Sequence, residues 1–157
     1  MIVRLTILGE PASKANSRML VKFGDRPASI KSGKARTYEK DAQAQIPANA
    51  RVMFEGPVRV TLTIFYASER PDLDESVVLD VLQAKYAKGT RELVRRGVYG
   101  NDRQVREKHV YHRIDRANPR AEIVVEPLAP QQAALIADQP IFRTKPQPET
   151  QPGQNPF

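Results

Sequence analysis

Val58-Arg59-Val60-Thr61-Leu62-Thr63-Ile64-Phe65-Tyr66, then after two residues Glu69-Arg70-Pro71-Asp72-Leu73-Asp74-Glu75, is the stretch that decides the fold class. The first nine residues are β-branched, aromatic or alternating, which is the composition of a strand. Pro71 fixes its own backbone and keeps Arg70 extended, so the chain turns there. Asp72 or Asp74 is then placed to cap a helix running to about Ala87. Leu73, Val77, Val78, Val81 and Leu82 recur at i, i+4, i+5, i+8 and i+9, which is one helical face.

On the N-terminal side, Ile2 to Leu8 alternates like a half-buried strand, and Gly9 to Arg18 is a polar loop. Met19 to Phe23 reads as a short strand, followed by a basic loop through Arg26, Lys31, Lys34 and Arg36. A helix is expected from about Ala35 to Gln45, stopped by Pro47. On the C-terminal side, Lys88 to Arg96 fits either a loop or a second short helix. Val105 to Ile114 reads as a strand, Asp115 to Pro119 as a turn, and Ala121 to Glu126 as the returning strand of a hairpin. These elements make an α+β protein: one small domain, a mixed sheet with an antiparallel hairpin, and two or more helices.

At 157 residues the length suits one domain, with enough core to fold without staples. From Pro127 the composition shifts to Pro and Gln, so residues 1–128 are expected to form the domain. Residues 129–157 are expected to be a largely disordered tail, with a short helix at most over Gln131 to Ala137. The formal charge is +7. Beyond residue 129, Arg143 and Lys145 cancel Asp138 and Glu149, so the whole excess lies on the domain. A basic domain favours a polyanionic partner, nucleic acid above all. The absence of cysteine excludes a disulfide framework, thiolate zinc sites and a Cys nucleophile. No run approaches the ~18 apolar residues of a membrane span, and Met1 to Thr6 lacks the apolar block of a signal peptide. A cytoplasmic protein is expected.

Against this basic background the acids Asp72, Asp74 and Asp102 stand out, the last in Val98-Tyr99-Gly100-Asn101-Asp102-Arg103-Gln104. Mg²⁺ prefers such hard oxygens and is commonly held by one or two carboxylates plus substrate phosphates. If the strands following and preceding these residues are neighbours, their ends bring all three acids together. The competing reading is structural: Asp is an ordinary helix N-cap, and Asn-Asp before a strand is ordinary turn chemistry. His109 and His112, three apart on a strand, face opposite sides and do not form a shared metal site. Ser13, Ser17 and Ser32 have no evident base, so a covalent nucleophile is unsupported.

Three segments taken together resemble the RusA family of Holliday junction resolvases, often phage-encoded, over about residues 1–127. They are Gly9-Glu10-Pro11-Ala12-Ser13-Lys14-Ala15-Asn16-Ser17-Arg18 with Ser32-Gly33-Lys34-Ala35-Arg36-Thr37-Tyr38, then Arg70-Pro71-Asp72-Leu73-Asp74 opening a helix. The third is Gly97-Val98-Tyr99-Gly100-Asn101-Asp102-Arg103-Gln104-Val105 followed by Asn118-Pro119-Arg120. The resemblance implies a small homodimer that binds four-way DNA junctions and nicks opposed strands with Mg²⁺, or Mn²⁺ as a substitute. By motif position it implies that Asp72, Asp74 and Asp102 hold the metal and carry catalysis. Two departures stand out. Glu75 replaces the family's usual Asn and is either a fourth ligand or a solvent-facing residue. Val78 replaces a catalytic lysine, and Lys85, on a similar helical face, lies about 10 Å further along the axis. Lys85, Lys88, Arg95 or Arg103 are the candidates to supply the missing charge.

The expected DNA contacts are Lys14, Asn16, Arg18, Lys34, Arg36, Arg70, Lys85 and Arg103, chiefly to phosphates. The functional expectation is a structure-selective endodeoxyribonuclease of DNA recombination and repair, associated with the nucleoid. Its alternatives are a catalytically weak or inactive junction-binding protein of the same fold, and a Mg²⁺ nuclease acting on flaps, forks or RNA. Gln154-Asn155-Pro156-Phe157 is a candidate docking tail for a replication protein.

Overall fold

A computed structural model describes residues 1–13 and 18–129. Its centre is β4 (Val58–Tyr66), where the alternation of the sequence becomes alternation of burial: Val58, Val60, Leu62, Ile64 and Tyr66 are buried on one face. β4 lies inside a four-stranded sheet of order β1-β8-β4-β7, with β1 Val3–Leu8, β7 Val105–Ile114 and β8 Arg120–Pro127. It runs antiparallel to β8 and parallel to β7, with Val58 opposite Val105 and Tyr66 opposite Ile114.

Two helices cover the apolar face. α1 (Gly33–Gln45) begins where the Ser32 hydroxyl accepts from the Ala35 amide at 3.2 Å, which gives Ser32 a capping role. It buries Ala35, Tyr38 and Ala42. α2 (Ser76–Leu82) buries Val77, Val78, Val81 and Leu82. These side chains join Ile7, Leu62, Ile64 and Ile123 in one core. Truncating one such buried aliphatic to Ala costs about 2–5 kcal/mol, so the shared core of β1, β4, β8 and the two helices carries the stability. The opposite face is polar, with Arg59 bridging Glu107 and Glu126 at 2.8 and 3.0 Å.

The architecture is the expected α+β class with a mixed sheet, and several local expectations are corrected. The basic loop at Arg26–Lys31 is a strand, β3, paired antiparallel with β2 (Arg18–Phe23) across a turn at Gly24 with φ +61°. That is one antiparallel hairpin; β7 and β8 do not form another, because β4 lies between them. β4 is the most apolar strand, and inserting it there pairs both its edges. α2 stops at Leu82 rather than near Ala87. The Leu82 carbonyl accepts from the Val98 amide at 2.7 Å and the Ala84 amide donates to the Tyr99 carbonyl at 2.9 Å, bonds that a continuing helix could not make. Lys88–Arg96 is neither plain loop nor helix but belongs to a small hairpin of β5 (Lys85–Tyr86) and β6 (Leu93–Arg95). No described helix is long and apolar enough to cross a membrane. The expected helix at Gln131–Ala137 and the candidate docking tail lie outside the described residues.

Candidate active site

The Asp72–Asp74 segment is fastened to the last residue of β4. The Tyr66 hydroxyl donates to the Asp72 carbonyl at 3.2 Å and accepts from the Asp74 amide at 3.1 Å. Asp74 Oδ1 then accepts from the Ser76 amide at 3.0 Å, but the N-cap position of α2 is Glu75, not the expected Asp72 or Asp74, and its side chain makes no capping bond. Burial pushes the Tyr66 hydroxyl up. The hydrogen bond with the Asp74 backbone opposes this, and the negative charges of Asp74, Glu10 and Glu75 reinforce it. Tyr66 therefore stays neutral as a bridging group. Glu10 is brought alongside because its Oε2 accepts from the Ala67 amide at 2.9 Å.

Glu10, Ser13, Lys34, Arg70, Asp72 and Asp74 line a cleft of about 370 Å³. Carboxylates from the β1 exit and the α2 start share it with two cations, Lys34 from the first turn of α1 and Arg70 before Pro71. Chemically this is a hard-oxygen donor set rimmed by groups that attract phosphate. Asp72 is exposed and Asp74 half-buried. An ion held there by one or two carboxylates keeps coordination positions for water and phosphate oxygens.

Asp102 does not line this cleft. β4 and β7 are neighbours, as the convergence argument required, but they are parallel. Asp72 and Asp74 follow the C-terminal end of β4, whereas Asp102 precedes the N-terminal end of β7, beside Val58 rather than Tyr66. Asp102 instead flanks Tyr99, whose hydroxyl donates to the Leu79 carbonyl at 2.9 Å. Burial raises the Tyr99 hydroxyl strongly, with the charges of Asp102 and Asp80 adding to it. The charges of Asp74, Glu10 and Glu75 act on Tyr66, and those of Asp102 and Asp80 act on Tyr99. Among the described residues no three His, Cys, Asp or Glu side chains lie close enough to hold one metal ion.

Glu75 is neither free nor simply solvent-facing, because Lys108 of β7 donates to its carboxylate. Val78 is fully buried in the core. Lys85 does not extend the helical face beyond it, since α2 has ended and Lys85 lies on β5. A further cation beside the α2 start is Lys108, paired with Glu75.

Of the expected DNA contacts, Lys34 and Arg70 line the Asp72–Asp74 cleft. Arg18 is exposed on β2, and Arg103 is exposed beside Asp102. Arg36 donates twice to the Lys31 carbonyl at 3.0 and 2.8 Å. Arg36 and Lys85 line a different cleft. Lys14 and Asn16 lie outside the described residues. The histidines do face opposite sides: His112 stacks on Tyr66 at 4.9 Å, while His109 meets Glu107 at 3.0 Å.

Sequence reasoning missed Glu10, Tyr66, Asp80 and Lys108 as neighbours of the acids. Asp80 carried a signal only as a further acid in the same segment, lying on α2 six residues after Asp74, which precedes the helix. Glu10, Tyr66 and Lys108 carried none, because their proximity is made by the sheet.

Compared with protein-family models, residues 9–126 match the one described as Endodeoxyribonuclease RusA. No curated protein matches the chain.

Proposed function

The chain belongs to the RusA endodeoxyribonuclease family, and from that premise we propose that it is a Mg²⁺-dependent, structure-selective nuclease that resolves four-way DNA junctions. The observation that carries the reading is the cleft in which Asp72 and Asp74 meet Lys34 and Arg70. A homodimer fits the substrate, since a two-fold interface offers two equivalent sites to a two-fold junction. The division into a nuclease domain over residues 1–128 and a tail from 129 belongs to the same proposal. So do nucleoid association and a docking role for the tail.

In this reading Asp72 and Asp74 hold the divalent ion, with Asp102 and Glu75 completing the ligand set. The donor chemistry of the first two fits Mg²⁺. Asp102 joins them only if substrate binding brings it to the cleft, which it does not line, and Glu75 only if it releases Lys108. When bound, the ion supplies charge neutralisation at the scissile phosphate and an activated water. The chain's own residues do the rest. Tyr66 fixes the backbone between the two aspartates. Lys34 and Arg70 bind flanking phosphates and orient the strand, with Lys14, Asn16, Arg18, Arg36, Lys85 and Arg103 extending the contact along the arms.

A second reading has a specific observation behind it. Val78 is buried and no three acids converge among the described residues, which favours a junction-binding protein that cuts weakly or not at all. One experiment separates the two: incubate a labelled four-way junction with Mg²⁺ or Mn²⁺ and compare wild type with Asp72→Asn. Paired nicks near the branch point, sealed by ligase and lost in the variant, establish the resolvase. Binding without cutting establishes the second reading. Preferential cutting of flaps, forks or double-stranded RNA points to a different nuclease.

A further inference from the structure

A second and larger cleft, of about 600 Å³, opens between α1 and the β5–β6 hairpin. It shares no lining residue with the Asp72–Asp74 cleft. Cations come from both walls: Lys31, Arg36 and Lys40 from the α1 side, Lys85 and Arg95 from the hairpin. Two acids also line it, and both are engaged: Glu39 accepts from Lys31, and Asp80 Oδ1 accepts from the Gln83 side-chain Nε2 at 3.2 Å. The balance is therefore positive.

Arg95 is the telling group. Its Nε is buried and has no hydrogen-bond partner. The neighbouring Arg51 spends its guanidinium on Gln43 and the Arg96 carbonyl. Arg51 is also held below the usual arginine value, by burial first and then by the positive charge of Arg95. A half-buried guanidinium with an unused N–H beside a second guanidinium is poorly compensated unless an anion sits near it. Cations on two facing walls suit a linear polyanion passing between them better than a compact anion held at one point.

We propose that the cleft between α1 and the β5–β6 hairpin binds the backbone phosphates of a nucleic-acid strand, apart from the Asp72–Asp74 cleft. The inference rests on the proposed DNA-binding function and adds a second track, on the side of α2 away from its N-terminal aspartates. A branched substrate has arms to occupy both. Neither Lys40 nor Arg95 is needed for the chemistry in this scheme; their contribution is affinity.

The test uses the full chain and fluorescence anisotropy with a labelled four-way junction and a linear duplex, from 50 to 200 mM salt as a working range. The variants are Lys40→Gln/Arg95→Gln and, in case the half-buried Arg95 is needed for folding, the surface pair Lys40→Gln/Lys85→Gln. Arg4→Gln/Arg116→Gln, with the same charge change on other surfaces, is the control. The expected result is a Kd for the junction raised roughly tenfold or more near 0.1 M salt, with a log–log salt slope shallower by about two. Cleft variants that keep their thermal midpoint and match the control in Kd and slope overturn the inference while leaving the proposed function standing. A wild-type chain that binds no DNA overturns both. A gain in thermal midpoint from inorganic phosphate in wild type, with the DNA salt slope unaltered in the variants, assigns the cleft to a small anion and overturns the nucleic-acid track.

Discussion

The Tyr66 hydroxyl accepts a hydrogen bond from the Asp74 amide at 3.1 Å while donating to the Asp72 carbonyl at 3.2 Å. The end of the central strand thereby grips both members of the Asp-Leu-Asp motif. Tyr66→Phe keeps the ring and its stacking on His112 but leaves a half-buried N–H and a carbonyl without this partner. The expected cost is about 1–3 kcal/mol in stability. Junction nicking is expected to fall roughly tenfold or more, as small misplacements of catalytic groups do. Urea unfolding and a nicking time course read the two effects separately.

Asp74→Asn and Asp102→Asn make an informative pair. At Asp74 the amide oxygen of Asn can still accept from Ser76, so stability is expected to change by less than about 1 kcal/mol. Nicking is expected to drop by at least about a hundredfold, on the scale of removing one preorganised electrostatic group. Asp102→Asn is expected to give a similar loss if the acid joins the metal in the working complex. Full activity in Asp102→Asn would remove that residue from the ligand set and leave the Asp72–Asp74 pair.

Gly97→Ala tests the strand-like pairing that ends α2. An added Cβ would stand 2.3 Å from the Ala84 nitrogen, 2.4 Å from the Gln83 carbonyl carbon and 2.6 Å from the Leu82 oxygen. These are backbone atoms in a hydrogen-bonded bridge, so they cannot swing aside. The substitution is expected to destabilise by about 3 kcal/mol or more, at the upper end of overpacking effects. A change in the denaturant midpoint with an unchanged m-value would place the effect in the native state.

Acid sensitivity follows from two depressed carboxylates. The Arg120 guanidinium, donating to Asp115 at 2.8 Å, holds that carboxyl below its usual range, helped by the Asn118 backbone. The Arg59 guanidinium does the same for Glu107, with His109 adding to it. Because both folded values lie below the unfolded values of about 4, their contribution is complete above that pH and disappears as pH falls through the folded values. The thermal midpoint is expected to decline below about pH 4, less steeply in Arg120→Gln than in wild type. Equal slopes in the two proteins would assign the acid loss to other groups.

Much of the fold was legible locally. The alternation from Val58 to Tyr66 announces a strand with one buried face, and the spacing of Val77, Val78, Val81 and Leu82 announces the helical face above it. Asp-Leu-Asp is an ordinary helix start on its own, and Asp72 and Asp74 were recognisable through the neighbouring segments that resemble the RusA family. Charge and the lack of cysteine narrowed the partner and the chemistry.

Partner choice among strands was not legible. Val105–Ile114 and Arg120–Pro127 follow one another through a short turn and read as a hairpin, yet β4 lies between them, because pairing on both edges best buries the most apolar strand. That choice makes β4 and β7 parallel, so Asp102 precedes one strand end while Asp72 and Asp74 follow the other, and it sets Lys108 beside Glu75. The same long-range pairing ends α2 at Leu82 and moves Lys85 to a cleft with Arg95. Sequence by itself determined the element types, the basic charge and the Asp-Leu-Asp motif, since each depends on residues a few positions apart. Which acid neighbours which cation was decided by tertiary structure alone, because strand pairing minimises exposed apolar surface over the whole chain, and no local pattern encodes that sum.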